Sequence, residues 1–249
     1  LSCQADRKDQ GAMTPVADAG FEILDSLLDD HVSEGIIQGA VALVAWQGEI
    51  VYHQAAGYAN IEEQRQESIT DIYRIASMTK QVTSVAAMIL YDQGKFQLDD
   101  PVGNYIPGFT SMEVVDEIHM EDSTFSGHPA ASQITIRQLF THSSGIGYGF
   151  QDEKLMALLE KRGIIEGFGQ KDILLEDNIN RLTEIPLMHE PGARFTYGLN
   201  MDVLGRLVEI WSGQPLDHFL REQIFEPLGM QDTYFELPAD KRNRLVDVY

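Results

Sequence analysis

Ser77 and Lys80 stand three residues apart in Ile75-Ala76-Ser77-Met78-Thr79-Lys80, the only Ser-x-x-Lys spacing in the chain. Residues three apart share a helix face, so the lysine amine lies beside the serine hydroxyl. Val82, Val85, Ala86, Ile89 and Leu90 follow at i, i+3, i+4, i+7 and i+8, the apolar stripe of a core helix that Gly94 ends. Ser77 therefore falls in or just before the first turn, where unpaired N–H groups favour negative charge developing on its oxygen. A serine is a poor nucleophile until a base takes its proton, and a lysine is that base only if burial or cationic neighbours lower its pKa. A second polar group is expected nearby.

The elements that must position this pair follow from the pattern of the chain. Phe21, Leu24, Leu27 and Leu28 predict a first helix ending near Gly35. Residues 40–46 and 49–55 read as a hairpin turned at Gln47-Gly48, its first strand apolar enough to be covered on both faces. Gly57 to Thr70 reads as polar loop, and Thr110 to Ala131 as acidic surface loop. Thr135 and Gln138 have capping-box spacing for a short helix through Leu139 and Phe140, broken by Thr141-His142-Ser143-Ser144-Gly145. Val203, Leu204, Leu207, Val208 and Trp211 mark a helix closed by Gly213, and Pro215 opens the next.

Composition narrows the partners. The chain has 249 residues, 43% of them hydrophobic, with 39 acidic and 18 basic side chains and a net charge of −21. Such a charge repels phosphate backbones and anionic headgroups, and no basic run overrides it, so nucleic acid is excluded as a partner. No run of 18 apolar residues is present, so no transmembrane segment is expected. The single cysteine forbids an internal disulfide. Leu1-Ser2-Cys3-Gln4 has the form of a bacterial lipoprotein signal's end, which makes Cys3 a candidate lipid anchor, Gln4 to Thr14 a tether, and the periplasm or cell envelope the expected location. The alternative is an arbitrary start.

Several stretches in a fixed order are similar to the serine β-lactamase and penicillin-binding superfamily, in particular its class C-like branch, which also holds esterases and D-amino-acid peptidases. They are Ile75 to Lys80, Gly94 to Val102, Leu139 to Gly145, Pro191 to Tyr197, Asp202 to Gly205 and Phe225 to Met230. The resemblance implies an α/β (α+β) fold, an antiparallel sheet flanked by helices plus a helical subdomain. Residues 1–14 would form a flexible tail, 15–76 the first part of the sheet domain, 77–237 the helical subdomain and 238–249 the return to the sheet. It implies Ser77 as the acylated nucleophile, Lys80 as its partner and Tyr197 as general base or proton relay, with no cofactor. A phenol suits that role, because a lysine cation beside it favours the phenolate.

Two departures from the family pattern bear on specificity. Where many members carry an asparagine that contacts the substrate amide, this chain has Leu199, with Asn200 one residue later; these two are the candidate substrate-binding residues. The third motif, a Lys or His before Gly on a late strand, would lie beyond Tyr249, as would the strands completing the sheet and one of two oxyanion N–H donors. The expected substrate is a small ester, amide or β-lactam, with esterase-like activity preferred over β-lactamase or D-Ala-D-Ala-type peptidase activity. A ligand-binding sensor of the same fold is the non-catalytic alternative. His142 is expected as a hydrogen-bonded scaffold residue.

Other hydrolase chemistries fit poorly. No Gly-x-Ser-x-Gly elbow occurs, the seven histidines never fall at zinc-ligand spacings, and Gly145-x-Gly147-x-Gly149 lacks the strand and last glycine of a dinucleotide site.

Overall fold

The computed structural model describes residues 20–167 and 173–249; Cys3 and the tether from Gln4 to Thr14 lie outside them. The chain has a mixed α/β architecture with antiparallel sheets, and its contacts divide it into two units, one running to Arg74 and resuming at Glu236–Tyr249, the other comprising Ile75–Phe235. Among the described residues no helix is long and apolar enough to cross a membrane.

The first unit holds helix α1 (Glu22–Ser33) and an antiparallel sheet of β1 (Gly39–Trp46), β2 (Glu49–Asn60) and β3 (Arg65–Gln66), in that order. The hairpin turn places Gln47 at φ 51° and Gly48 at φ 88°, the left-handed pair whose twist matches that of the strands. Strand β2 runs on through Gly57 to Asn60, past the point where the sequence predicts loop. Glycine makes this possible: Gly57 pairs with Gly39 at φ 77°, and a Cβ there would lie 2.2 Å from the Gln38 carbonyl. Helix α1 meets β2, where Phe21 stacks on Tyr52 at 5.2 Å and the Tyr52 hydroxyl donates to Asp25 at 2.7 Å. The expectation that β1 is covered on both faces is not met, since Leu43 and Trp46 keep about half their surface exposed. The returning segment is tied in by a parallel bridge between Ile72 and Leu245 and by Arg65, which pairs with Asp71 at 2.9 Å and donates to the Leu245 carbonyl at 2.9 Å.

The second unit is built on helix α6 (Asn200–Ser212), where Val203, Leu204, Leu207 and Val208 have no exposed surface. Helix α2 (Thr79–Asp92) packs against it, as do α3 (Ile136–Phe140), α5 (Leu175–Leu182) and α7 (Leu216–Leu220), while α4 (Glu153–Lys161) adds Leu155, Leu158 and Leu159 to the same core. Phe96 stacks on Trp211 at 4.0 Å and closes one end. The buried face of α2 is Thr83, Ala86, Ala87 and Leu90, rotated from the predicted stripe, and Val85 is half exposed. Val82 and Ile89 of the predicted stripe still pack against the core at its edge. The capping box at Thr135 and Gln138 is present, and Gly213 closes α6 at φ 72°.

The stretch from Thr110 to Ala131, predicted as loop, contains a second hairpin of β4 (Glu113–His119) and β5 (Thr124–Pro129). An irregularity between Val115 and Glu117 breaks its register and hence the alternation that marks a half-buried strand. Val114 and Ile118 nonetheless point into the core.

Candidate active site

Ser77 sits in a single tight turn, Ala76–Met78, that runs directly into α2. The residue before it, Ala76, has φ 42°, a left-handed conformation that costs a non-glycine residue energy and that clusters at functional sites. Ser77 and Lys80 lie on one face as the spacing requires, and Lys80 Nζ donates to Ser77 Oγ at 3.2 Å. Tyr197, 120 positions away, brings its hydroxyl to 2.6 Å from the same oxygen. Lys80 Nζ also lies 4.7 Å from the centre of the Tyr197 ring and 5.4 Å from that of Tyr148, so two aromatic faces enclose the cation.

The proton distribution in this cluster is uneven. Burial works against the Lys80 ammonium, but the Tyr197 and Tyr148 hydroxyls outweigh it and hold Lys80 above the ordinary lysine value. Burial likewise works against a Tyr197 phenolate, yet Lys80 and Ser77 outweigh it and draw that phenol below its ordinary value. Tyr148 moves the other way, pushed up by burial and by the Asp202 charge. Of the two tyrosines, Tyr197 is the one whose phenol is drawn below its ordinary value.

The cluster opens on a cavity of about 690 Å³, lined with Tyr148, Leu175, Met201, Leu216 and Phe235 among its apolar residues and with Glu166 and Asp202 among its acids. That volume is ordinary for a small-molecule site, for which about 300–1,000 Å³ is typical. Burial, only partly offset by Lys80, holds the Asp202 carboxyl up at about 6. Among the described residues no group of three or more His, Cys, Asp or Glu side chains could hold a metal ion.

The loop that carries Tyr197 is gripped by two histidines. His189 Nδ1 donates to the Glu190 carbonyl at 2.8 Å, which leaves Nε2 to accept the Thr196 hydroxyl at 2.8 Å. His142 packs its ring on that of Tyr197 at 5.0 Å and accepts on Nδ1 from the Asn200 amide at 3.0 Å. Gly198 is required between them, because a Cβ there would lie 2.0 Å from the Ile146 carbonyl.

Ser77, Lys80 and Tyr197 are thus brought together, and Leu199 and Asn200 are not among the residues around the cavity. Both have no exposed surface, Leu199 inside the core and Asn200 hydrogen-bonded to Ser144 and His142. The turn into α6 points position 199 inward. Tyr148 and Asp202 were not singled out as site residues from sequence. A carboxylate in the first turn of a mostly buried helix, as Asp202 is beside Met201, Val203 and Leu204, was the available signal.

A model of the Beta-lactamase family matches residues 24–249. Esterase EstB of Burkholderia gladioli is 35% identical over 212 residues, covering 85% of this chain and 50% of the relative. Lovastatin esterase of Penicillium rubens is 31% identical over 230 residues, covering 90% and 56%. Among solved structures, EstCE1, a hydrolase with promiscuous acyltransferase activity, superposes with a TM-score of 0.77 at 29% identity, covering 92% of this chain and 56% of that one. The chain spans about half the length of the curated relatives it matches. With that match running over nearly all of its described residues, the chain belongs to the Beta-lactamase family.

Proposed function

We propose that the protein is a serine hydrolase that cleaves esters through an acyl-enzyme on Ser77. Tyr197 is the general base. Its oxygen takes the Ser77 proton as Oγ attacks the ester carbonyl, and the proton passes to the departing alkoxide when the tetrahedral adduct collapses. Water then attacks the acyl-enzyme, giving its proton to Tyr197, and Ser77 leaves protonated. Lys80 stays an ammonium that stabilises the Tyr197 phenolate, in contrast to the lysine-base mechanism that the Ser-x-x-Lys spacing leaves open. The single observation carrying this reading is the 2.6 Å contact between Tyr197 and Ser77 with Lys80 against both, at the mouth of a cavity.

Ester over amide or β-lactam follows from what surrounds the cavity. Among the described residues lining it there is no asparagine or glutamine to pair the N–H and the C=O of a substrate amide together, and each amide group left unpaired on burial costs about 1–3 kcal/mol. An ester strands no such group. Leu199 itself lies inside the core. The names of the esterases among the relatives agree with the ester preference.

The test is a pair of kcat/KM values on the full-length protein, for p-nitrophenyl butyrate and for a chromogenic cephalosporin, with Ser77→Ala as the blank. The ester value is expected to be higher. A cephalosporin value equal to it or above would overturn the preference, and ester turnover surviving in Ser77→Ala would overturn the nucleophile.

A further inference from the structure

His142 follows helix α3 and stands at φ 51°, a left-handed conformation. It touches the segment from Thr196 to Asn200 at four points. Its carbonyl accepts the Thr196 N–H at 2.7 Å, its ring faces that of Tyr197, and its Nδ1 accepts from the Gly198 N–H at 3.4 Å and from the Asn200 side chain at 3.0 Å.

The protonation state of that ring follows from its neighbours. A backbone N–H can only donate, so Nδ1 must offer a lone pair to Gly198. The Asn200 amide is oriented independently: its nitrogen donates to the Ile146 carbonyl at 3.4 Å, which turns its Oδ1 to accept the Ser144 hydroxyl. The Asn200 nitrogen then faces His142 and needs an acceptor there. Both donors require the neutral ring with its proton on Nε2, the opposite tautomer to that of His189.

We infer that His142 is a positioning residue, whose neutral Nε2-protonated ring holds Tyr197 on Ser77 and whose protonation on Nδ1 releases it. A proton on Nδ1 would set three N–H groups against one another, and the Gly198 and Asn200 bonds would be lost together. The strain falls on the segment from Tyr197 to Asn200. This inference rests on Tyr197 acting on Ser77 as proposed above.

The titratable groups around the ring push the same way. Helix α2 presents the Lys80 ammonium and the 195–198 loop presents the Tyr197 phenol beside the Phe195 ring, while α6 and the 144–146 turn present neutral Asn200 and Ser144. Burial, and then the Lys80 charge, lower the His142 pKa from its ordinary value, so the neutral ring persists through neutral pH.

The inference predicts an acid-side loss of kcat/KM with one more proton than Tyr197 alone demands, steepening below the His142 pKa. Two variants separate this from a structural role. In His142→Asn the amide oxygen takes the place of Nδ1, and asparagine tolerates the left-handed backbone, so turnover is expected to be largely rescued and the extra acid-side proton to vanish. In Asn200→Asp a carboxylate faces Nδ1 and favours its protonation, so the acid-side loss is expected to begin at a pH higher by about one unit or more. Three superimposable pH profiles would overturn the inference. Independently of any variant, ¹⁵N NMR of the wild-type protein at neutral pH should show His142 Nδ1 unprotonated; a protonated Nδ1 there would overturn it as well. Ser77 labelling by a fluorophosphonate keeps the two readings apart. No labelling at any pH sinks the proposed function, whereas labelling with superimposable profiles sinks only the role of His142.

Discussion

The unit of Ile75–Phe235 and the unit formed by the flanking segments differ in how they bury apolar surface. In the former, buried hydrophobic residues run from Ala86 to Phe225 in one connected core, with Leu139, Leu158, Leu204 and Leu207 fully enclosed. In the latter, among the described residues, Tyr52 and Ala59 are the buried hydrophobic side chains, and Leu43, Val44, Trp46 and Ile50 stand exposed on the hairpin. Ser77, Lys80, Tyr148, Tyr197 and Asp202 all belong to the first. A close-packed core holds its attached side chains to a narrow range of positions. The lesson is that a 2.6 Å contact between residues 120 apart in sequence is a product of core packing, not of local spacing.

The largest effect that tests this contrast is chemical. Tyr197→Phe keeps the ring between His142 and Lys80 and removes only the hydroxyl, so kcat is expected to fall about 10²- to 10⁴-fold, the usual contribution of general base catalysis. Thermal melting should stay near the wild type. Unchanged turnover in this variant would detach the cluster from the chemistry.

Next is the core itself. Leu204→Ala, at a side chain with no exposed surface, is expected to lower the unfolding free energy by about 2–5 kcal/mol in urea titration. A loss below about 1 kcal/mol would mean that this unit is as loosely packed as the other.

Asp202 should behave in the opposite sense. Its folded pKa, raised by burial to about 6 from 3.8, means that the native state binds the proton more tightly than the unfolded chain does. Folding is therefore penalised above pH 6, where the carboxylate is ionised, and the penalty fades as pH falls from about 6 towards 4. Asp202→Asn is expected to stabilise the protein by roughly 2–3 kcal/mol at pH 8, with a smaller gain at pH 5. Equal stability of variant and wild type at pH 8 would show that Asp202 has a compensating partner.

The smallest effect belongs to the open hairpin. Val44→Ser in the 249-residue chain is expected to change stability by no more than about 0.5 kcal/mol, as at other exposed positions. A loss above about 2 kcal/mol would show that this strand face is covered in solution.

The legible parts of the molecule were those with local causes. Thr135 and Gln138 announce a helix start because both partners of the capping box lie within four residues, and Gln47-Gly48 announces a turn because Gly48 takes positive φ without strain. The β4–β5 hairpin was hidden because its bulge breaks the alternation, and the buried face of α2 was legible only in part because Thr83 and Ala87 carry little hydrophobic signal. Within the site, Lys80 follows from Ser77 by spacing alone, and Tyr197 entered only through the family resemblance. Tyr148 and Asp202 carry no spacing to Ser77 at all. A two-residue offset from Tyr197 does not say which way the first turn of α6 faces, and there Leu199 and Asn200 face inward.

Intact-mass analysis and peptide mapping after exposure to a fluorophosphonate test the central assignment most directly. The expected result is one covalent adduct per chain, on the peptide containing Ser77, absent in Ser77→Ala and formed much more slowly in Tyr197→Phe. An adduct on another residue, or labelling that persists when Ser77 is replaced, would contradict the assignment of Ser77 as the acylated nucleophile.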